Sequence, residues 1–298
     1  MLAGQMPPTL AIVGAGRLGR ALGRLLRDRG WRIGAVVTRS AATARTAVRA
    51  IGDGTPCEKP TRRVLAAEII LITTPDAAIR PVADELASMG REEWRGKVVL
   101  HTSGALDHHE LAALERWGAA TGSLHPLQTF SPKVKPHLEG VLFAIEGHTR
   151  ALKAARRIAR ELGGVPVRLR AGAKPAYHAA GALASGHVLG IVEAAVRILM
   201  GQGFTRRQAT QALLPLTRQT LENYAHLGPA AAWTGPVSRG DYSTVAKHLE
   251  ALKQHPKEYG AAYTAVSRLS AAVLSGDAGD TLRQLERILK KRGYRGGK

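Results

Sequence analysis

Gly14, Gly16 and Gly19 stand in the order G-x-G-x-x-G, a spacing suited to holding a diphosphate. Gly14 permits a tight turn, Gly16 lets the backbone come close to the pyrophosphate, and Gly19 lets the next helix pack tightly on its strand. The phosphates then meet unpaired N–H groups at a helix N-terminus, where the dipole favours negative charge. A bare glycine pattern is weak evidence. Here the strand-like Thr9–Val13 precedes it, Arg17 and Leu18 complete the turn, and a helix-forming stretch follows. The whole strand–turn–helix unit of a dinucleotide site is present.

The second strand bears on which dinucleotide. Proteins that hold NAD usually place an acid after it, about 20 residues beyond the last motif glycine, for the ribose hydroxyls. Trp31 to Val37 read as that strand, and Thr38-Arg39-Ser40 follow it without a carboxylate. Arg39 can stack on adenine and grip a phosphate, while Thr38 and Ser40 offer hydroxyls to the same group. The pattern favours NADP(H) over NAD(H), against the plainer reading of Arg39 as one more surface arginine.

Other residues could act on a substrate. In doubly wound sheets, ligands sit beyond the carboxyl ends of the strands. Thr74-Pro75-Asp76, Thr102-Ser103-Gly104 and His125-Pro126 all follow strand-like runs, so all are expected at the cofactor cleft. Pro75 would shape the loop against the nicotinamide ribose. Ser103 could donate to a substrate oxygen or simply cap its turn. His125 could face the substrate or serve as a hinge histidine. Lys174 and His178, four residues apart, share one face of a helix. Arg239 suits a carboxylate through two parallel hydrogen bonds, with Asp241 orienting it or His248; a structural Arg–Asp ion pair is the alternative.

The elements that must position these groups alternate through the first half of the chain. Strands are expected at 9–14, 32–37, 68–74, 97–101, 120–124, 141–145 and 165–169. Helices are expected at 17–29, 41–50, 76–89, 107–117 and 149–162, with a loop over 52–60. The run Glu68–Thr74 is apolar without alternation, as in a parallel strand buried on both faces. The alternation implies an α/β Rossmann domain over residues 1–170, a doubly wound and mostly parallel sheet covered on both sides. After Arg170 the runs of strand length disappear. Helices are expected at 174–201, 205–226, 242–254, 256–274 and 279–291, with Thr205 and Ser243 as caps. Residues 171–298 therefore read as an all-α second domain.

Composition narrows the functional classes. Lys and Arg outnumber Asp and Glu by 43 to 23, a formal net charge of +20. The basic residues are scattered, and no aromatic residues interleave with them to stack bases, so a nucleic-acid partner is not expected. Cys57 is the only cysteine, which rules out an internal disulfide and fits a reducing compartment. His108 and His109 are adjacent and would diverge on a helix, so no metal site is expected. No uninterrupted apolar run reaches the roughly 18 residues of a membrane span. A soluble, cytoplasmic protein is expected.

Four further segments carry a family resemblance: His101–Leu106, Ser123–Phe130, Tyr177–Ala180 and Thr234–Asp241. With the glycine turn, they make the chain resemble the 6-phosphogluconate dehydrogenase-like oxidoreductases. Those include hydroxyisobutyrate dehydrogenases, pyrroline-5-carboxylate reductases and ketopantoate reductases. More narrowly, the chain is similar to bacterial Rossmann proteins whose helical domain has no assigned function. The resemblance implies an N-terminal NADP domain, a helical domain that forms a homodimer, and a substrate cleft between the two. It also implies Lys174 as proton donor to the carbonyl being reduced, with His178 as the other candidate. Where hydroxyisobutyrate dehydrogenases carry an asparagine farther along this helix, Gly186 and His187 stand here. The expected activity is NADP(H)-dependent hydride transfer to or from a small anionic keto or hydroxy acid, such as ketopantoate. The alternatives are imine reduction of the pyrroline-5-carboxylate type and a non-catalytic NADP-binding sensor.

Overall fold

The computed structural model describes residues 8–131, 134 and 136–294. Within it the chain divides into two compact units, Met1–Leu183 and Ala184–Lys298. The first unit is built on eight strands: β1 (Leu10–Val13), β2 (Ile33–Val37), β3 (Thr55–Cys57), β4 (Ile69–Ile72), β5 (Val98–His101), β6 (Ala120–Pro126), β7 (Leu142–Gly147) and β8 (Val165–Arg168). Between them run α1 (Arg17–Arg27), α2 (Ala41–Ile51), α3 (Arg62–Leu65), α4 (Ile79–Ser88), α5 (Ala112–Glu115) and α6 (Thr149–Glu161), and α7 (Lys174–Ala182) follows.

The strands line up in the order β3-β2-β1-β4-β5-β6-β7-β8. The first six are parallel, which is the strand order of a doubly wound dinucleotide-binding sheet. β7 turns back antiparallel to β6, and β8 runs parallel to β7. All four residues of β1 are buried because successive side chains point to opposite faces and both faces are covered. Leu10 and Ile12 join one core with Leu22 and Leu26 of α1; Ala11 and Val13 join the other with Ile70 and Ile72 of β4. Full burial of a Leu or Ile is worth about 1.5–3 kcal/mol, so the strand ends that carry the site are firmly held.

One expected loop is ordered differently. Within 52–60, Thr55–Cys57 pairs in parallel with β2 as the edge strand of the sheet. Pro56 hides that strand in the sequence, because proline lacks the amide a central strand requires. At an edge it is tolerated.

The second unit holds α8 (Val188–Gly201), α9 (Arg206–Ala232), α10 (Tyr242–Leu252), α11 (Lys257–Leu274) and α12 (Ala278–Lys291). Thr205 caps α9 in a reciprocal arrangement with Gln208. The helix breaks at Gly228, whose φ of 77° only glycine adopts readily, and Pro229 follows. The cap of α10 is Asp241 rather than Ser243. One Asp241 carboxylate oxygen accepts from the Thr244 N–H at 3.1 Å and from the Ser243 hydroxyl at 2.9 Å. A carboxylate at a helix N-terminus outcompetes a hydroxyl two residues inside the helix.

A π-helical turn, Leu183–His187, joins α7 to α8. The composition change at Arg170 therefore precedes the division of the units, and α7 belongs to the sheet unit. The helical stretch Lys174–Gly201 is long and apolar enough to cross a membrane by length and mean composition, although His187, Glu193 and Arg197 interrupt its apolar run. Its best window has mean hydropathy 1.5 and is 6% buried.

Candidate active site

The glycine turn joins β1 to α1. Gly14 has φ +91°, and a Cβ there would lie 2.4 Å from Cγ2 of Thr74. A Cβ on Gly19 would lie 2.3 Å from the Thr73 hydroxyl, which donates to the Gly14 carbonyl at 2.8 Å. Gly16 starts α1 with no side-chain cap and no acid in the first turn. A Cβ on it would meet nothing nearer than 3.8 Å, so the backbone is open to close approach there. Thr74 Oγ1 is buried and without a hydrogen-bond partner among the described residues. An exposed helix end beside an unsatisfied hydroxyl suits a phosphate oxygen.

Arg39 and Lys59 line a cavity of about 300 Å³ next to Gly14, together with Thr38, Glu58 and Glu85. Thr38 and Ser40 both bond Thr43 at the start of α2, and Ser40 caps that helix. Their hydroxyls are thus partly spent on local structure. The Arg39 side chain has no hydrogen bond or ion pair among the described residues.

Thr74 is shared with a second cavity, of about 410 Å³, lined by Gly16, Arg17 and Leu18, by Thr74 and Pro75, and by the ends of β5 and β6. Ser103, Gly104, His125 and His178 converge on it. The Ser103 hydroxyl accepts from the Ala105 and Leu106 amides at 3.1 and 3.0 Å, so it caps its own turn. His101 braces the same turn. Its Nδ1 accepts from the Ser103 N–H at 3.2 Å, so its Nε2 donates to the Asp107 carbonyl at 2.9 Å. Burial first, and the Lys174 charge second, push its pKa down to about 3, so the ring is neutral.

One face of α7 reaches both strand ends. Lys174 donates to the Ser103 carbonyl at 2.6 Å, Tyr177 meets His125 Nδ1 at 2.9 Å, and the His178 ring lies edge-on to His125 at 6.0 Å. Spacings of three and four place all three on that face. Gly104 makes room for them: a Cβ there would sit 2.8 Å from His125 Nε2 and 2.7 Å from His178 Cδ2. Burial, then the Lys174 charge, then His178 hold the His125 pKa down to about 4, and burial raises that of Tyr177 to about 12.

Two family models match the chain. One is the Rossmann-like domain over residues 5–126, and the other is the domain of unknown function DUF2520 over residues 141–270. The chain thus carries a match to a Rossmann-like domain followed by a match to the DUF2520 domain. Among solved structures it is similar to a Bacteroides fragilis protein assigned as an NADP oxidoreductase, at 22% identity and a TM-score of 0.73, covering 89% of this chain and 98% of that one. It is similar to a Myxococcus stipitatus imine reductase in complex with NADP+, at 18% identity and a TM-score of 0.67, covering 95% and 100%. It is also similar to an Aspergillus terreus reductive aminase in complex with NADPH and ethyl-5-oxohexanoate, at 18% identity and a TM-score of 0.63, covering 97% and 96%. No curated protein matches it by sequence. At these identities the structures speak for the fold.

Lys174 is 2% exposed and is not among the residues lining the 410 Å³ cavity. Desolvation lowers its pKa to about 8, opposed by Glu146, Asp107 and Asp76. That value suits a proton donor, but the ammonium points at a backbone carbonyl. The unfolded chain keeps this proton to a pH near 10.5, so the unfolded state binds more protons between pH 8 and 10.5. Stability is therefore expected to rise across that window, by up to roughly 3 kcal/mol relative to Lys174→Met, and to be lost as pH falls back through 8. Urea unfolding of both proteins at about pH 8 and about pH 10 measures the difference.

Arg239 and Asp241 lie in the second unit. Arg239 is exposed and acts electrostatically on the Asp241 carboxylate, whose pKa is lowered mainly by the Thr244 side chain and amide. Thr234 to Val237 of the same loop line a largely apolar cavity of about 700 Å³ with Trp233 and Tyr263, and neither Arg239 nor Asp241 reaches it. Reading the sequence missed His101, Tyr177 as the partner of His125, and Lys59 beside Arg39. His101 and Tyr177 stood in the segments that carry the family resemblance, but nothing in them indicated these contacts.

Proposed function

We propose that this protein is an NADP(H)-dependent oxidoreductase that reduces the carbonyl of a small anionic keto acid, or runs the reverse oxidation. The bound cofactor would supply or take up a hydride. The observation that carries the reading is the continuity of a phosphate cradle, a cationic wall and two histidines around Thr74. Gly16 and the first turn of α1 would hold the pyrophosphate, and Arg39 with Lys59 the phosphate on the adenosine ribose. Thr74 and Pro75 would flank the nicotinamide ribose. His125 Nε2, at the cavity, would hydrogen-bond the reacting oxygen. The alkoxide left by hydride transfer would take its proton from His178 or water in the same cavity, the reverse oxidation returning it there.

The state of His125 ranks the substrates. A ring whose pKa is held near 4 is neutral at physiological pH. A neutral imidazole N–H can polarise a carbonyl, but it is a poor acid for protonating an imine. The test is oxidation of NADPH with ketopantoate and with pyrroline-5-carboxylate, alongside calorimetry with NADPH and NADH. NADPH is expected to bind more tightly than NADH, and the keto acid to turn over faster than the imine. Tight NADPH binding without turnover would favour a sensor, and failure to bind either nucleotide would end the reading.

We infer that the working form is a homodimer, in a reducing compartment such as the cytoplasm, consistent with the buried free Cys57. The helices of the second unit expose large apolar side chains: Leu189 is 69% exposed, Leu216 63% and Leu227 61%. Monomers rarely leave so much apolar surface open, and a second copy can cover it through a two-fold contact. Light scattering is expected to show a dimer, and Leu189→Glu a monomer. A monomeric unmutated protein would refute the assembly.

A further inference from the structure

We propose that Tyr177 fixes the tautomer of His125, so that the Nε2 proton of a neutral imidazole is presented to the cavity as a hydrogen-bond donor. The inference deepens the reading above and rests on it only for what the donor meets. Two observations define the arrangement. His125 Nδ1 lies 2.9 Å from the Tyr177 hydroxyl, and the two rings meet edge to face at 5.6 Å. On the other side of the imidazole, Nε2 lies 2.8 Å from the point where Gly104 would carry a Cβ, beside the edge of His178. Gly104 lets the two rings pack against its backbone; His125 lines the 410 Å³ cavity, and its Nε2 has no hydrogen-bond partner among the described residues.

A neutral imidazole has one N–H and one lone pair, and the bond made by one nitrogen decides the role of the other. Burial keeps the Tyr177 hydroxyl protonated, and His125 Nδ1 is its hydrogen-bond partner among the described residues. If Tyr177 donates, Nδ1 is the acceptor and the proton resides on Nε2. The reverse arrangement would leave the tyrosine proton unspent in a half-buried place and turn a lone pair toward the cavity. The groups facing His125 are Lys174, His178 and Tyr177. The first two oppose a second proton on the ring, so it stays a neutral donor. Tyr177 acts through His125 and is a positioning residue; a phenylalanine in its place would fill the same volume.

The test reads the ring nitrogens directly, in full-length protein containing isotope-labelled histidine. In the unmutated protein, the His125 nitrogen shifts are expected to show a fixed Nε2–H form with Nδ1 as acceptor. In Tyr177→Phe they are expected to move toward an average of both tautomers. For keto-acid reduction, kcat is expected to fall about tenfold in that variant, while KM and the NADPH Kd hold within about twofold. A fixed Nδ1–H form in the unmutated protein would overturn the proposal, and so would an unchanged tautomer in Tyr177→Phe. The unmutated spectrum decides the first point even if the variant fails to fold. A fixed Nε2–H form lost in Tyr177→Phe supports the assignment even in a protein that reduces no substrate, which separates it from the reductase reading.

Discussion

His125→Ala is expected to lower kcat for keto-acid reduction by about a hundredfold or more, the range lost when one hydrogen-bond donor to a developing oxyanion is removed. The NADPH Kd should change little, because the cradle proposed for the phosphates lies at Gly14, Gly16 and the first turn of α1, away from His125 in the sequence. Removing the imidazole also strands the Tyr177 hydroxyl, whose described partner is His125 Nδ1. His125→Asn separates the two consequences, since an amide can still accept from Tyr177 but cannot place an N–H at the same point. Both variants should be slow. Stopped-flow turnover with saturating NADPH makes the measurement, and a loss below about threefold would remove His125 from the chemistry.

Arg39→Ala is expected to weaken NADPH binding by about 30- to 100-fold and to leave NADH nearly unaffected. A charge-assisted contact between a guanidinium and a phosphate is worth about 1.5–3 kcal/mol, and it exists only where the phosphate does. Lys59 lines the same cavity, so the double variant with Lys59→Ala should lose more. Glu58 and Glu85 share that wall and would then dominate its charge, to the further detriment of a phosphate. Calorimetry with both nucleotides gives the answer. Equal weakening of the two, or none, would show that Arg39 does not read the phosphate.

The fold was legible because periodicity and punctuation agree through most of the chain. Ile69–Ile72 lacks alternation because it lies between two covered faces, and that shows in the residues. Thr55–Cys57 was not legible. Its strand character comes from pairing with β2, and Pro56 argues against it locally. Ser243 looked like a cap, but Asp241 outranks it by charge and position. Lys174 and His178 are recognisable as sharing a helix face, yet their environments differ: one is 2% exposed against a carbonyl, the other lines a cavity.

By itself the sequence determined the glycine turn, the missing acid after the second strand, the alternating first half and the helical second half. These are local properties, set by backbone freedom, periodicity and the charge of a single side chain. Only the tertiary structure decided that Lys174 is spent on Ser103, that His101 holds the Ser103 turn, and that Tyr177 meets His125. The Lys174–Ser103 and Tyr177–His125 partners lie far apart in the chain, and burial rather than residue type sets the protonation of Lys174 and His125. Which nitrogen faces a ligand depends on what the other nitrogen touches, and no pattern along the chain encodes that contact.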